Sequence, residues 1–194
     1  KELIKKFKPK LINFLDCGSS SHHELEYIKK SKISSIIIDH HNIEKPYPKS
    51  DVIINPKKKI GYNNDNLCSS FLTYLFLDLY ITLYQVKISI KENLIYVLLA
   101  TVADVMPIRN INRLLAINVL KNFDINKNLI FNNLFNLFKL KKKLELDDLG
   151  FFIAPVLNSA GRLENANDIV KLLTTTKKDD IIRISKHIYN LNLK

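Results

Sequence analysis

The stretch Ile36-Ile37-Ile38-Asp39-His40-His41 decides the fold. Three consecutive β-branched aliphatics read as a buried strand. The carboxylate and two imidazoles that follow are costly to desolvate, so they need partners, water or a metal at the strand's end. Working outward, Leu11-Ile12-Asn13-Phe14-Leu15 reads as an earlier strand that ends at Asp16-Cys17-Gly18. Between the two, Ser21 and Glu24 have the spacing of a capping box, and Glu24 to Lys30 suits a short helix. With a strand over Ile33–Ile38, residues 11–38 form one βαβ unit, for which a parallel pair is the default. Both strands end in a carboxylate, and ligands of open α/β sheets bind outside the carboxyl ends of strands. Asp16, Asp39, His40 and His41 are therefore expected at one sheet edge.

Downstream, Pro46 and Pro48 precede Val52-Ile53-Ile54, a third short strand closed by Asn55-Pro56. Lys57–Asn66 is a polar loop. Helical patterns follow over Leu67–Tyr84, Glu92–Ala103, Arg109–Phe123 and Leu129–Leu140. Pro107 takes the chain out of helix close to Asp104 and so places a further carboxylate at a helix end. Ala154–Arg162 reads as turn-rich because of Pro155 and Gly161, and helices over Asn165–Leu173 and Asp179–Leu191 close the chain. The expected fold class is α/β: a parallel sheet flanked by helices over residues 1–108, then an all-helical section over 109–194.

Composition narrows the function less than these motifs do. The 194 residues are 46% hydrophobic and 25% charged, enough for a sizeable core in a globular chain. The net charge is +11, carried by 26 Lys and only four Arg. A solvated lysine surface and a polyanion-binding face both accommodate that charge. Cys17 and Cys68 form no CxxC pair, which fits a reducing, cytoplasmic setting. No basic-then-apolar signal segment opens the chain. The most apolar stretch, Leu67–Val86, contains Asp78, and a mid-span aspartate costs about 2.5–3.5 kcal/mol, so a core helix is expected rather than a membrane span. The chain starts at Lys1 without an initiator Met and is expected to be a piece of something longer.

Asp16, Asp39, His40, His41 and Asp104 make a carboxylate–imidazole set suited to hard or borderline divalent metals such as Mn, Mg, Zn or Fe. Any one of them could be a cap or a turn residue, but their convergence on one edge points to a metal-dependent hydrolase, with phosphoryl groups as one class of substrate. His22-His23, at a helix start, reads as solvated or capping. Cys17 reads as a small strand-end residue rather than a nucleophile, and Cys68 as a core thiol.

The segments LDCGSSSHHELEYIKK, IIIDHH, VIINPK, LLATVADVMPI, NINRLL and APVLNSAGRLENANDIVKLL carry a resemblance. In that order the chain resembles the DHH phosphoesterase superfamily and, within it, the RecJ-like single-strand-specific exonucleases, over roughly residues 11–175. The resemblance implies a two-metal site for Mn2+ or Mg2+, with Asp16 bridging and His40 and Asp104 as ligands. It implies that Asp39 holds the histidines from behind, that His41 sits by the scissile phosphate, and that Asn158 and Arg162, in a glycine-containing loop, hold the strand. Asn112 and Arg113 are implied to support the site. The partner implied is single-stranded DNA, with no membrane; protein partners are unspecified. The implied reaction is 5′-to-3′ phosphodiester hydrolysis in DNA repair and recombination. Alternatives are an oligonucleotide or cyclic-dinucleotide phosphodiesterase, a pyrophosphatase, or a non-catalytic nucleic-acid-binding protein.

There are departures too. The family's D-x-D-G motif lies upstream of the DCG strand, and residues 1–15 hold no aspartate. Those carboxylates complete the family's metal shell, so this chain alone is expected to hold metal poorly and to be inactive. The family's second domain and nucleic-acid-binding fold follow a long connecting helix, within or just after which this chain is expected to stop. Val156 stands where the family usually has arginine, and the helix start NLCSSFLTYL lacks the usual glycine.

Overall fold

The structure, a computed structural model, describes residues 1–58, 65–163 and 166–193, without the side chains of 162 and 163. The chain divides into two compact units, Lys1–Val97 and Leu98–Lys194, and the expected boundary at residue 108 lies inside the second.

In the first unit a short helix, α1 (Glu2–Phe7), precedes strand β1 (Leu11–Leu15), helix α2 (His22–Lys30), strand β2 (Ser34–Ile38) and strand β3 (Val52–Ile54). The three strands form one parallel sheet in the order β1-β2-β3, so the Ile-rich β2 is central. Leu15 is in register with Ile38, and Ile38 with Ile54. Helix α2 packs on β2, and α3 (Ser69–Leu83) packs on β1 and β2. Leu25, Ile28, Ile37, Ile38, Phe71 and Leu72 are buried as its core, each worth about 1.5–3 kcal/mol when fully withdrawn from water. The expected capping box is not formed: Ser21 is the N-cap residue of α2, but its side chain makes no capping hydrogen bond. Its backbone angles (φ −84°, ψ 53°) are not the extended ones that aim a cap side chain at the first turn.

The second unit has helices and connecting turns, and no strand, among its described residues. Helix α4 (Leu94–Ala103) crosses the boundary, followed by α5 (Asn110–Asn122), α6 (Leu129–Leu137), α7 (Leu146–Asp148), α8 (Ala154–Leu163), α9 (Asn167–Thr174) and α10 (Lys178–Asn192). Helix α10 lies against α6, α8 and α9, and Phe131, Leu134, Val156, Leu172, Ile184 and Ile188 are buried among them.

The stretch expected to be turn-rich is helical. Leu149–Ile153 is a π-helical stretch running into α8, whose second residue is Pro155. A proline inside an α-helix lacks a donor and crowds the carbonyl four residues back. The wider π turn just before it relieves both, so helix continues through a residue that usually stops one. Gly161 does not interrupt the helix either, and a Cβ there would meet nothing within 4 Å.

Candidate metal centre

The site is laid out by the hydrogen-bond ladder of the sheet. Asp16 N–H donates to the Ile38 carbonyl at 3.0 Å, and Asp39 N–H donates to the Ile54 carbonyl at 3.0 Å. Each ladder thus runs one residue past its strand, and Asp16, Asp39 and Asn55 stand side by side at the carboxyl edge. Asp16 leaves the ladder with φ 61°, a left-handed conformation rare for a residue with a side chain. Gly18 follows with φ 109°; a Cβ there would stand 3.0 Å from Phe14 Cβ and 3.2 Å from Ile37 Cγ1. The chain can therefore fold back over the sheet only at a glycine, and this reversal brings Ser19 N–H to Asp39.

Asp39 is 1% exposed and is the most heavily bonded group of the site. One oxygen, Oδ2, accepts from Ser19 N–H at 3.1 Å. The other, Oδ1, accepts from the backbone N–H groups of His40 (2.8 Å) and His41 (3.2 Å) and contacts His41 Nδ1 at 2.7 Å. Burial by itself would raise the carboxyl pKa, but these bonds outweigh it and bring the pKa down to about 2. An ionised carboxylate only accepts, so His41 Nδ1 carries the hydrogen and its Nε2 is left for another partner. The bond to Asp39 also raises the His41 pKa, while Lys57 acts weakly against it.

His40 is buried, and its Nε2 lies 3.3 Å from Asp16 Oδ1, with the Asp16 side chain 58% exposed. One donor atom from each of Asp16, His40 and His41 can be chosen so that all lie within 4.8 Å of one another. An oxygen and two imidazole nitrogens that close suit one divalent cation of the Mn, Mg or Zn kind. Asp39 fixing the ring of a neighbouring imidazole is the usual arrangement behind such ligands.

Sequence reasoning missed two further residues. Asn55 is buried; its Nδ2 donates to Ser19 Oγ (2.8 Å) and to the His41 carbonyl (3.0 Å), and its Oδ1 accepts from Lys57 N–H (2.9 Å). Ser19 and Asn55 thus tie the ends of β1 and β3 to the His41 backbone. Asn55 was within reach of the rule that selected Asp16 and Asp39, because it is the residue that follows a strand. Cys17 is exposed; burial, then the Asp39 and Asp16 carboxylates, push its thiol pKa up, so it is a poor nucleophile there. His22 and His23 are exposed in the first turn of α2, and Cys68 is fully buried.

Asp104, Asn158 and Arg162 belong to the second unit. Asp104 is the exposed C-cap of α4, which ends with Val105 N–H on the Val102 carbonyl and Met106 N–H on the Thr101 carbonyl. This is a Schellman closure with Val105 at the left-handed position, φ 54°. Asn158 is exposed on α8, not in a loop; it lines a cavity of about 440 Å³ together with Ala103 and Val105, the neighbours of Asp104. Arg162 is also in α8, and its side chain lies outside the described residues. Asn112 is fully buried and donates to the Pro107 carbonyl at 3.0 Å, bracing the segment that follows Asp104, whereas Arg113 is exposed.

Residues 1–102 match the family model described as "DHH family, N-terminal domain". The single-stranded-DNA-specific exonuclease RecJ of Haemophilus influenzae is 27% identical over 195 residues, covering 94% of this chain and 34% of that protein. The Escherichia coli protein of the same name is 32% identical over 178 residues, 84% of this chain and 30% of its own length. The chain thus spans about a third of the length of these curated relatives. Among solved structures, RecJ of Thermus thermophilus in complex with Mn2+ superposes with TM-score 0.83 at 22% identity, over 95% of this chain and 28% of that one. A structure of exonuclease RecJ bound to manganese gives TM-score 0.81 at 22% identity. The family match takes in the whole three-stranded sheet and the Asp16–His40–His41 cluster at its edge, and on it the chain belongs to the DHH family.

Proposed function

We propose that this chain is the metal-binding part of a metal-dependent exonuclease that hydrolyses phosphodiester bonds of single-stranded DNA from the 5′ end, in DNA repair and recombination. The observation that carries this reading is the carboxyl-edge cluster in which Asp39 anchors His41 while Asp16 and His40 face each other. Relatives named single-stranded-DNA-specific exonucleases, and similar folds solved with Mn2+ or Mg2+, support it.

Asp16 and His40 would hold Mn2+ or Mg2+ in a two-metal site, with Asp104 as a further ligand. Bound there, the metal would supply a water of lowered pKa and positive charge against the oxygen that leaves. Asp39 is a positioning residue: through its bond to Nδ1 it fixes the His41 ring, which would sit by the scissile phosphate. Asn158 and Arg162 would grip the strand. Residues 1–108 would supply the metal chemistry and 109–194 the helical part of the substrate path. Two cysteines without a CxxC pair fit a cytoplasmic protein, and among the described residues no helix is long and apolar enough to cross a membrane.

The test uses the full-length protein with Mn2+ or Mg2+ and single strands labelled at either end. Wild type should release nucleotides from the 5′ end. Asp16→Ala or His40→Ala should abolish release with circular dichroism unchanged. Full activity in either variant overturns the reading.

A further inference from the structure

Near the candidate metal centre, Lys57 is tied to the His41 segment, and Lys45 and Lys58 share the ring of Tyr47. Lys58 Nζ lies 5.2 Å and Lys45 Nζ 5.9 Å from the centroid of the Tyr47 ring. The Tyr47 hydroxyl also donates to the Lys58 carbonyl at 3.3 Å, which fixes the ring against that turn. The third, Lys57, donates from Nζ to Asn42 Oδ1 at 3.1 Å, next to His41 in the chain. Its backbone N–H is held by Asn55, whose Nδ2 holds the His41 carbonyl. Among the described residues, none of Lys45, Lys57 and Lys58 makes an ion pair with a carboxylate, unlike Lys49, which bonds Glu26 at 2.7 Å.

Gathering ammonium groups round one ring is unfavourable unless an anion comes to them. Cation–π contacts offset part of the repulsion and restrict side chains that otherwise sample many rotamers. The turn carrying Lys57 and Lys58 is tied through Asn55 to the backbone of His41, so the positive charge keeps a fixed place beside the site. A chain of phosphates that reaches His41 would pass within reach of these groups.

We propose that Lys45 and Lys58, ordered by Tyr47, and Lys57, ordered by Asn42, bind the sugar-phosphate backbone of the single strand whose terminal phosphodiester lies at Asp16, His40 and His41. This rests on the nuclease reading, and it adds a strand-binding surface outside the metal ligands. Contacts of this kind are with phosphates, so they set affinity and register and do not read base sequence.

The test measures binding of a fluorescent single-stranded oligodeoxynucleotide by the full-length protein across a salt series. Removing three phosphate contacts, as in K45Q/K57Q/K58Q, should weaken binding about tenfold or more and make the plot of log affinity against log salt shallower by about 2, at about 0.7 per phosphate. Lys57→Gln alone should flatten it by about 0.7, which keeps the test open should the triple variant fail to fold. Tyr47→Leu, which keeps every charge, should weaken binding by a smaller factor, about twofold to fivefold. Unchanged affinity and salt slope in a folded triple or single variant overturn this surface, whether or not wild type cleaves the strand. Wild type that binds through these lysines yet never cleaves overturns the nuclease reading and leaves the surface standing.

Discussion

Asp39, almost wholly buried, and His41, with its side chain 60% exposed, share a 2.7 Å hydrogen bond across two residues of chain. One end of that bond is fixed by the sheet and the other faces solvent. The carboxylate therefore orients the ring without itself being open to substrate, and its low pKa keeps it an acceptor throughout the physiological range.

A carboxyl with a folded pKa of about 2 against an ordinary 3.8 contributes stability that is complete above about pH 5 and is lost as pH falls toward 2. The difference corresponds to about 2 kcal/mol. Asp39→Asn removes this contribution and turns an amide N–H toward the Ser19 N–H. Wild type should therefore be clearly more stable than the variant at pH 7, and the gap should close between pH 5 and 2. Thermal unfolding across that range checks it; parallel curves would contradict the ionised, bonded Asp39.

Gly18→Ala should cost about 2 kcal/mol, because it adds a methyl 3.0 Å from Phe14 Cβ and a side chain at φ 109°. Urea unfolding measures this directly. A midpoint equal to wild type would mean the reversal above the sheet is looser than described.

Asn55→Ala removes two donors and an acceptor, and with them the tie between the end of β3 and the His41 carbonyl. A stability loss of about 1–3 kcal/mol is expected. Nuclease activity of the full-length protein should fall about tenfold or more, as for other residues that support a metal centre from behind. Wild-type stability together with wild-type activity would remove Asn55 from the site.

Val105→Gly should stabilise the protein. Val105 is 86% exposed, so little packing is lost, and a β-branched residue at φ 54° is strained where glycine is not. Relief of about 1–2 kcal/mol, less the added freedom of glycine in the unfolded chain, leaves a gain of about 0.5–1 kcal/mol. Denaturant titration should show a raised midpoint. A lowered one would mean that Val105 is held by contacts its exposure does not suggest.

Much of the sheet and the centre of the site was legible in the sequence. Strands over Leu11–Leu15 and Val52–Ile54 are observed as expected, and β2 starts one residue later than expected, because runs of β-branched and apolar residues bounded by turn residues leave few alternatives. Asp16, Asp39, His40 and His41 stood out as polar groups at strand ends. Ser19 did not, since it looks like an ordinary turn residue until its partner, 20 positions away, is known; Asn55 also follows a strand but carries no charge to single it out. The helix through Pro155 was hidden for a different reason. Proline and glycine are local stop signals, whereas a π turn that accommodates proline depends on how the preceding residues pack. Helix α1 left no periodic pattern, being six residues long with none buried.

The spacing of the strands doubles as a ruler for the chemistry. Neighbouring strands of any sheet stand about 4.8 Å apart and advance about 3.3 Å per residue. Asp16 comes from one strand and the two histidines from the next, so the gap between their donor atoms is inherited from the backbone ladder. A slip of β1 by one residue against β2 would offer the cation Leu15 or Cys17 in place of a carboxylate. Correct pairing of two short strands and assembly of the candidate metal centre are therefore one event, and mispaired chains would be blank at the site.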